Sequence, residues 1–91
     1  MSENKSFKRK NSNAWRTIKG TTFLVSPAMK KIYPLNDVGQ AVWLGLEQSY
    51  DFESLVNKIY QEFDADLETI KNDVREFLEN MLNDGLIENL N

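Results

Sequence analysis

Apolar and polar positions alternate along the first third of the chain, and they recur at helical spacing along the rest. Three short stretches rich in β-branched and aromatic residues occupy 14–19, 22–26 and 30–33. The connections between them are short and contain Gly20 and Pro27, residue types that favour turns. The pattern predicts three strands in a small antiparallel meander. The residues expected to lie in its core are Trp15, Phe23 and Val25.

The third stretch is followed by Pro34, which indicates where its strand lies in the sheet. Proline has no N–H and is confined to edge strands, so we predict an edge strand here. Lys30 and Lys31 carry charges that guard an open edge against unwanted pairing, and they would also attract an acidic peptide. An extended peptide could therefore add to this edge as a further strand.

Three amphipathic helices are predicted after the strands, because apolar residues recur at intervals of three or four. A residue that can accept hydrogen bonds from the free amides of a first helical turn precedes each helix; these are Asn36, Asp51 and Asp66. Gly85 is placed to take the left-handed conformation that ends the third helix. The predicted fold class is α+β, a three-stranded antiparallel sheet followed by three helices, similar to a winged helix-turn-helix.

The third helix offers apolar side chains that could face the open strand edge, and these are Val74, Phe77 and Met81. A peptide beside the third strand would then lie in a groove between that edge and this helix. The alternative is that all three are ordinary core residues, because amphipathic helices routinely bury such stripes.

Charge divides the chain into two unequal parts. Residues 1–31 contain eight Lys/Arg and one Glu, a net charge of +7, whereas residues 32–91 contain three Lys/Arg and thirteen Asp/Glu, a net charge of −10. Residues 1–13 offer little apolar surface, so we predict a flexible basic tail before a single domain at 14–91. The basic segment either packs against the acidic helices or attracts an acidic partner.

The composition excludes several kinds of chemistry. The chain has no cysteine and no histidine, which removes thiolate and imidazole metal ligands and the commonest nucleophile–base pairs. The acids from Asp64 to Glu68 resemble the start of a calcium loop, but Thr69 and Arg75 stand where such a loop needs glycine and glutamate. We therefore expect no metal, no cofactor and no enzymatic activity. No apolar run reaches the roughly 20 residues of a membrane span, so a cytoplasmic location is expected.

The predicted architecture also suits a winged-helix DNA-binding regulator, whose third helix would enter the major groove. From Glu68 to Asp84, however, that helix carries Lys71 and Arg75 against five acids, a net charge of −3. Because DNA binders depend on contacts with phosphates, a helix of this sign disfavours nucleic acid as a partner. DNA binding is kept as the alternative function.

An ordered set of motifs extends from Leu35 to Ile87. They are Leu35-Asn36-x-x-Gly39-x-x-Val42-Trp43-x-x-Leu46, Phe52-Glu53-x-Leu55-Val56, Phe63-Asp64-Ala65-Asp66, Asp73-Val74-x-x-Phe77-Leu78-x-x-Met81 and Gly85-Leu86-Ile87. This set resembles the PqqD-like proteins, also called RiPP recognition elements, and the resemblance covers roughly residues 14–88. The resemblance implies a non-catalytic adaptor that binds the leader segment of a ribosomally synthesised precursor peptide. In that family the leader joins the sheet beside the third strand, in a groove walled by the third helix.

Carried over by position, the resemblance supplies the strand and helix sides of a peptide site. Together with the edge lysines, the predicted peptide-binding residues are Lys30, Lys31, Ile32, Tyr33, Pro34, Asp73, Val74, Phe77 and Met81. The resemblance further implies a separate modifying enzyme, either a radical-SAM maturase or a leader peptidase with a cyclase. An open strand edge can also pair with a second copy, so a homodimer is a further expectation.

Overall fold

The structure, a computed structural model, describes residues 6–10, 14–26, 30–48 and 50–90. The strands in these ranges are β1 (Phe7–Arg9), β2 (Ala14–Ile18), β3 (Thr21–Ser26), β4 (Lys31–Pro34) and β5 (Ile87–Asn89). The helices are α1 (Asp37–Gly45), which continues into a 3-10 turn at Leu46–Gln48, α2 (Phe52–Glu62) and α3 (Leu67–Asn83). The three predicted strands and three predicted helices are all present, and the predicted α+β fold is confirmed.

The main sheet is antiparallel, with the strand order β2-β3-β4. Lys19 and Gly20 connect β2 to β3 with φ angles of 51° and 85°, so both take the left-handed conformation that suits a two-residue hairpin turn. β4 follows β3 and lies at the margin of the sheet, with Pro34 opposite Phe23. The prediction that the strand before α1 is an edge strand is therefore confirmed.

Side-chain caps define the helices at the predicted positions. Asn36 Oδ1 accepts a hydrogen bond from the Gly39 N–H at 2.7 Å, and Asp51 and Asp66 cap α2 and α3 in the same way. At the end of α3, Gly85 has a φ of 75°, and the Leu86 N–H donates to the Met81 carbonyl at 2.9 Å. These caps satisfy backbone groups that have no partner inside a helix.

A second, two-stranded sheet joins the ends of the domain, because β1 pairs with β5 in antiparallel register. The Phe7 side chain is completely buried, and the Arg9 guanidinium lies over the rings of Trp15 and Trp43 at 5.1 and 5.2 Å from their centroids. The prediction of a flexible tail is therefore wrong for residues 6–10, and the domain includes them. Residues 1–5 and 11–13 of that predicted tail lie outside the described residues.

The helices cover one face of the main sheet. On β3 the side chains of Thr22, Leu24 and Ser26 are buried, whereas Phe23 is half-buried and Val25 is exposed. Two hydrogen bonds of 2.9 Å satisfy the buried polar groups of Thr22. Its hydroxyl shares a hydrogen bond with the Thr17 hydroxyl, and its N–H donates to Gln40 Oε1.

The opposite, uncovered face of this sheet, called the outer face below, carries Ile18, Phe23, Val25 and Ile32. The prediction of core positions for Phe23 and Val25 is wrong, because the register turns both residues away from the helices. Trp15 points to the covered side but lies at the open margin of β2, where it is 41% exposed. It too was wrongly predicted as a core residue.

Candidate functional site

The free edge of β4 presents unpaired backbone groups beside α3. The Leu35 N–H donates to the Thr22 carbonyl at 2.9 Å, so Leu35 directs its backbone groups toward β3. Because this direction alternates along an antiparallel strand, Ile32 and Pro34 direct theirs to the free edge. Ile32 therefore offers both its N–H and its C=O, and Pro34 offers only its C=O. No strand pairs with this edge within the described part of the chain.

Charge and exposed apolar surface lie close to this edge. Lys30 and Lys31 are exposed at the start of β4, and Lys30 holds a left-handed φ of 53°. Ile32 is 68% exposed on the outer face, the largest exposure among the big apolar side chains that the structure describes. Pro34 is exposed as well.

Tyr33 connects β4 directly to the end of α3. Its hydroxyl donates a hydrogen bond of 2.5 Å to Asp84 Oδ2. This hydrogen bond, with smaller contributions from desolvation and from the charge of Asp84, raises the pKa of Tyr33 to about 12. The ring is half-buried against the core, so this residue links the strand edge to the helix.

A pocket of about 330 Å³ lies between the beginning of α1 and the middle of α3. Its lining residues are Asn36, Val38, Gly39, Asp73, Glu76, Phe77 and Asn80. A Cβ atom at Gly39 would lie only 3.1 Å from Phe77 Cε1, so glycine lets α1 approach that ring closely. The pocket lies close to the end of β4, because its lining residue Asn36 follows Pro34 by two residues. Val38 and Phe77 provide apolar contacts in this mainly polar pocket, and Asp73 and Glu76 provide carboxylates, so it suits a side chain with an apolar stem and a positively charged end.

The structure separates the predicted site residues into two groups. Lys31, Ile32, Tyr33 and Pro34 lie in β4, and Lys30 immediately precedes it, whereas Asp73 and Phe77 lie in the pocket on α3. Val74 and Met81 do not line the groove, because their side chains are 0% and 4% exposed in the core. The prediction that these two form the groove wall is a misassignment of the face of α3. Each residue of a helix is rotated by about 100° from the one before it, so Val74 and Met81 point inward beside groove-facing neighbours.

Sequence reasoning missed several residues of this region. Glu76, Asn80 and Asp84 follow Asp73 at intervals of three or four residues, so helical spacing from the predicted Asp73 could have found them. Val38 carried no such signal, because its position depends on how α1 packs across α3.

None of the helices in residues 6–10, 14–26, 30–48 and 50–90 combines the length and apolar character needed to cross a membrane. In the same ranges, no group of three or more acidic side chains is arranged to hold a metal ion.

Comparison with known structures finds the same fold in three proteins. TbiB1 in complex with the TbiA(beta) leader peptide has a TM-score of 0.78 and 27% sequence identity, covering 89% of this chain and 94% of that chain. Lasso peptide synthetase B1 complexed with the leader peptide has a TM-score of 0.76 and 11% identity, covering 90% and 96%. The PqqD truncation of Methylobacterium extorquens PqqCD, described as a functional and stand-alone RiPP recognition element, has a TM-score of 0.77 and 18% identity, covering 96% and 93%.

Comparison of sequences gives a more specific result. No curated protein matches the chain. The family model for coenzyme PQQ synthesis protein D (PqqD) matches residues 21–87, which is most of the chain and includes β3, β4 and all three helices. The match extends across the free edge of β4 and the pocket between α1 and α3. The chain therefore belongs to the PqqD family.

Proposed function

We propose that this chain is a non-catalytic adaptor that binds the leader segment of a ribosomally synthesised precursor peptide and delivers it to a separate modifying enzyme. The leader would add as a strand along the free edge of β4, between that edge and α3. The free backbone groups of Ile32 are the observation on which this proposal depends. The proposal is supported by the chain's membership of the PqqD family. It is also supported by two structures of the same fold, each of which is a complex with a leader peptide.

The main chain would provide affinity, and the side chains around the edge would provide selectivity. An antiparallel leader would run from the pocket at Asp73 and Phe77 toward Lys31. Its early residues would then meet carboxylates, and its later residues would meet the exposed lysines. Lys30 and Lys31 would steer an acidic segment toward the edge.

The adaptor would act by raising the local concentration of the core peptide at the enzyme. A short flexible tether between two bound segments gives effective concentrations on the millimolar scale. Chemistry would be left to the partner, a radical-SAM maturase or a leader peptidase with a cyclase. In the absence of peptide, the same edge could pair with a second copy of the chain, giving a homodimer.

An amide NMR titration of the uniformly ¹⁵N-labelled chain tests this proposal. The first probe is the short precursor peptide encoded nearest the gene, and its sequence-scrambled version is the matched control. We expect shifts confined to residues 30–36 and 73–84 with the authentic peptide only. The proposal fails if the two peptides act alike, or if the shifts lie elsewhere.

A random DNA duplex is the second probe in the same titration, because a winged-helix regulator would bind it. Asp73 and Glu76 on α3 and Asp84 just after it make this region acidic, so we expect no shifts in α3 with the duplex. Shifts with DNA and none with peptide would favour a DNA-binding regulator instead.

A further inference from the structure

The outer face is an apolar surface that no part of the described chain covers. Ile18, Val25 and Ile32 are 49%, 38% and 68% exposed, and with Phe23 they line a shallow depression of about 490 Å³. Of the eight large apolar side chains that are exposed in the described residues, these three lie on the outer face. Contiguous apolar patches of this kind on small proteins mark surfaces for partners.

The register of β3 maintains this surface against the usual preference of a strand. A half-buried strand normally turns its apolar residues to the core, yet β3 buries Thr22 and Ser26 beside Leu24 and turns Phe23 and Val25 outward. Shifting the register by one residue would reverse both faces. Thr22 has hydrogen-bond partners in the Thr17 hydroxyl and Gln40 Oε1, which makes the observed register tolerable. Departures of this kind from local preference are expected at functional surfaces.

Charge on and beside the outer face indicates the kind of partner that fits. Arg16 lines the depression on this face. The other charged residues between positions 14 and 36, Lys19, Lys30 and Lys31, are also basic and lie at the ends of the strands. Two copies meeting through this face would bring like charges together, which disfavours a second copy as its occupant. A protein with an apolar patch bordered by acidic side chains is complementary in both respects.

We propose that the outer face is the docking surface for the modifying enzyme, through an apolar patch with an acidic border on that enzyme. This inference rests on the proposed function. A leader strand beside β4 would place alternate side chains on the outer face, continuing the row formed by Val25 and Ile32. The enzyme would then contact the sheet and the leader together. Binding of leader and enzyme would be mutually favourable, and each would raise the affinity of the other by the same factor.

Paired variants separate this surface from the peptide edge. The first outer-face variant carries Ile18→Thr and Val25→Thr. These substitutions remove apolar surface, and threonine is a residue type that is favourable in strands. A second outer-face variant carries Glu at both positions. The matched control places Thr, and then Glu, at Leu44 and Tyr60, which are 39% and 45% exposed on helices. The probes are the labelled precursor peptide and the purified enzyme encoded beside it. Circular dichroism and thermal unfolding establish that each variant folds.

We expect both outer-face variants to bind the precursor peptide within about twofold of the unaltered chain. Their affinity for the enzyme and the rate of adaptor-dependent processing should fall at least tenfold. The control variants should retain the enzyme affinity and the processing rate of the unaltered chain. Normal enzyme binding by the outer-face variants would overturn the inference and leave the adaptor proposal intact. Loss of peptide binding would overturn it too, because the leader itself would then occupy this face. Sedimentation adds a third outcome: a dimer of the unaltered chain that the outer-face variant abolishes would assign the face to a second copy.

Discussion

Replacement of Ile32 by proline tests strand addition directly, because it removes one hydrogen-bond donor from the free edge of β4. The Ile32 N–H points away from β3, so the ladder between β3 and β4 keeps all its bonds. Lys31, the preceding residue, is already in a strand, which is the conformation that a residue before proline prefers. The matched control is Ile32→Ala, which removes the side chain but keeps the N–H.

The expected loss follows from the group left without a partner. A leader carbonyl that lies against this edge loses its donor, and an unsatisfied buried acceptor costs about 1–3 kcal/mol. That range corresponds to a weakening of about 5- to 150-fold. The proline ring also occupies the place of the missing hydrogen and crowds the incoming strand, so we expect a loss above the lower end of the range.

Fluorescence anisotropy of a labelled precursor peptide measures this difference, with the unaltered chain, Ile32→Ala and Ile32→Pro titrated at one ionic strength. Thermal unfolding should give the same midpoint for the alanine and proline variants. Equal peptide affinity for these two variants, with both folded, would refute strand addition at β4. An equal loss of affinity in both variants, relative to the unaltered chain, would indicate instead that the leader contacts the Ile32 side chain.

Three further predictions concern charge, pH and the N-terminal strand. Changing Lys30 and Lys31 to Glu should slow association with an acidic leader and weaken its salt dependence in stopped-flow experiments, and unchanged rates would exclude steering. Because the pKa of Tyr33 is raised from 10.0 to about 12, the stability from its bond to Asp84 is present below pH 10 and lost toward pH 12. The Tyr33→Phe variant should not show this loss of stability when its thermal unfolding is measured between pH 10 and pH 12. An equal fall in the unfolding midpoint of both proteins would contradict the role assigned to the Tyr33–Asp84 hydrogen bond. Phe7→Ala should lower the free energy of unfolding by about 3–5 kcal/mol in urea, and a loss below about 1 kcal/mol would place β1 outside the cooperative unit.

The two lysines and the carboxylates on α3 give the proposed groove opposite charges at its two ends. Lys30 and Lys31 lie exposed at the start of β4, whereas Asp73 and Glu76 line the pocket that α3 forms with α1. A leader with a basic residue before an acidic one would match both ends in the antiparallel direction. The salt dependence of binding measured for single reversals at Lys31 and at Asp73 would show which contact dominates.

The elements of the main sheet and the helices could be predicted from the sequence because their signals are local. Asn36, Asp51 and Asp66 each accept a hydrogen bond from the backbone N–H three residues later. Gly85 ends α3 through backbone hydrogen bonds to carbonyl groups in the last turn of the helix. Pro34 marks an edge strand because a proline lacks the N–H that a central strand needs. Such interactions depend on neighbours in the chain, so they are visible before any tertiary contact is known.

Tertiary structure decided which faces of these elements are buried. Phe7 belongs to the core only because β1 meets β5, about eighty residues further along the chain, and no local pattern in a polar segment predicts that pairing. Phe23 and Val25 remain on the outer face because strand register and the position of the helices, rather than hydropathy, select the buried side. Val74 and Phe77 lie on one amphipathic stripe, yet α3 buries the first and leaves the second in the groove. Packing angles between elements set that division, and they arise from contacts between distant parts of the chain.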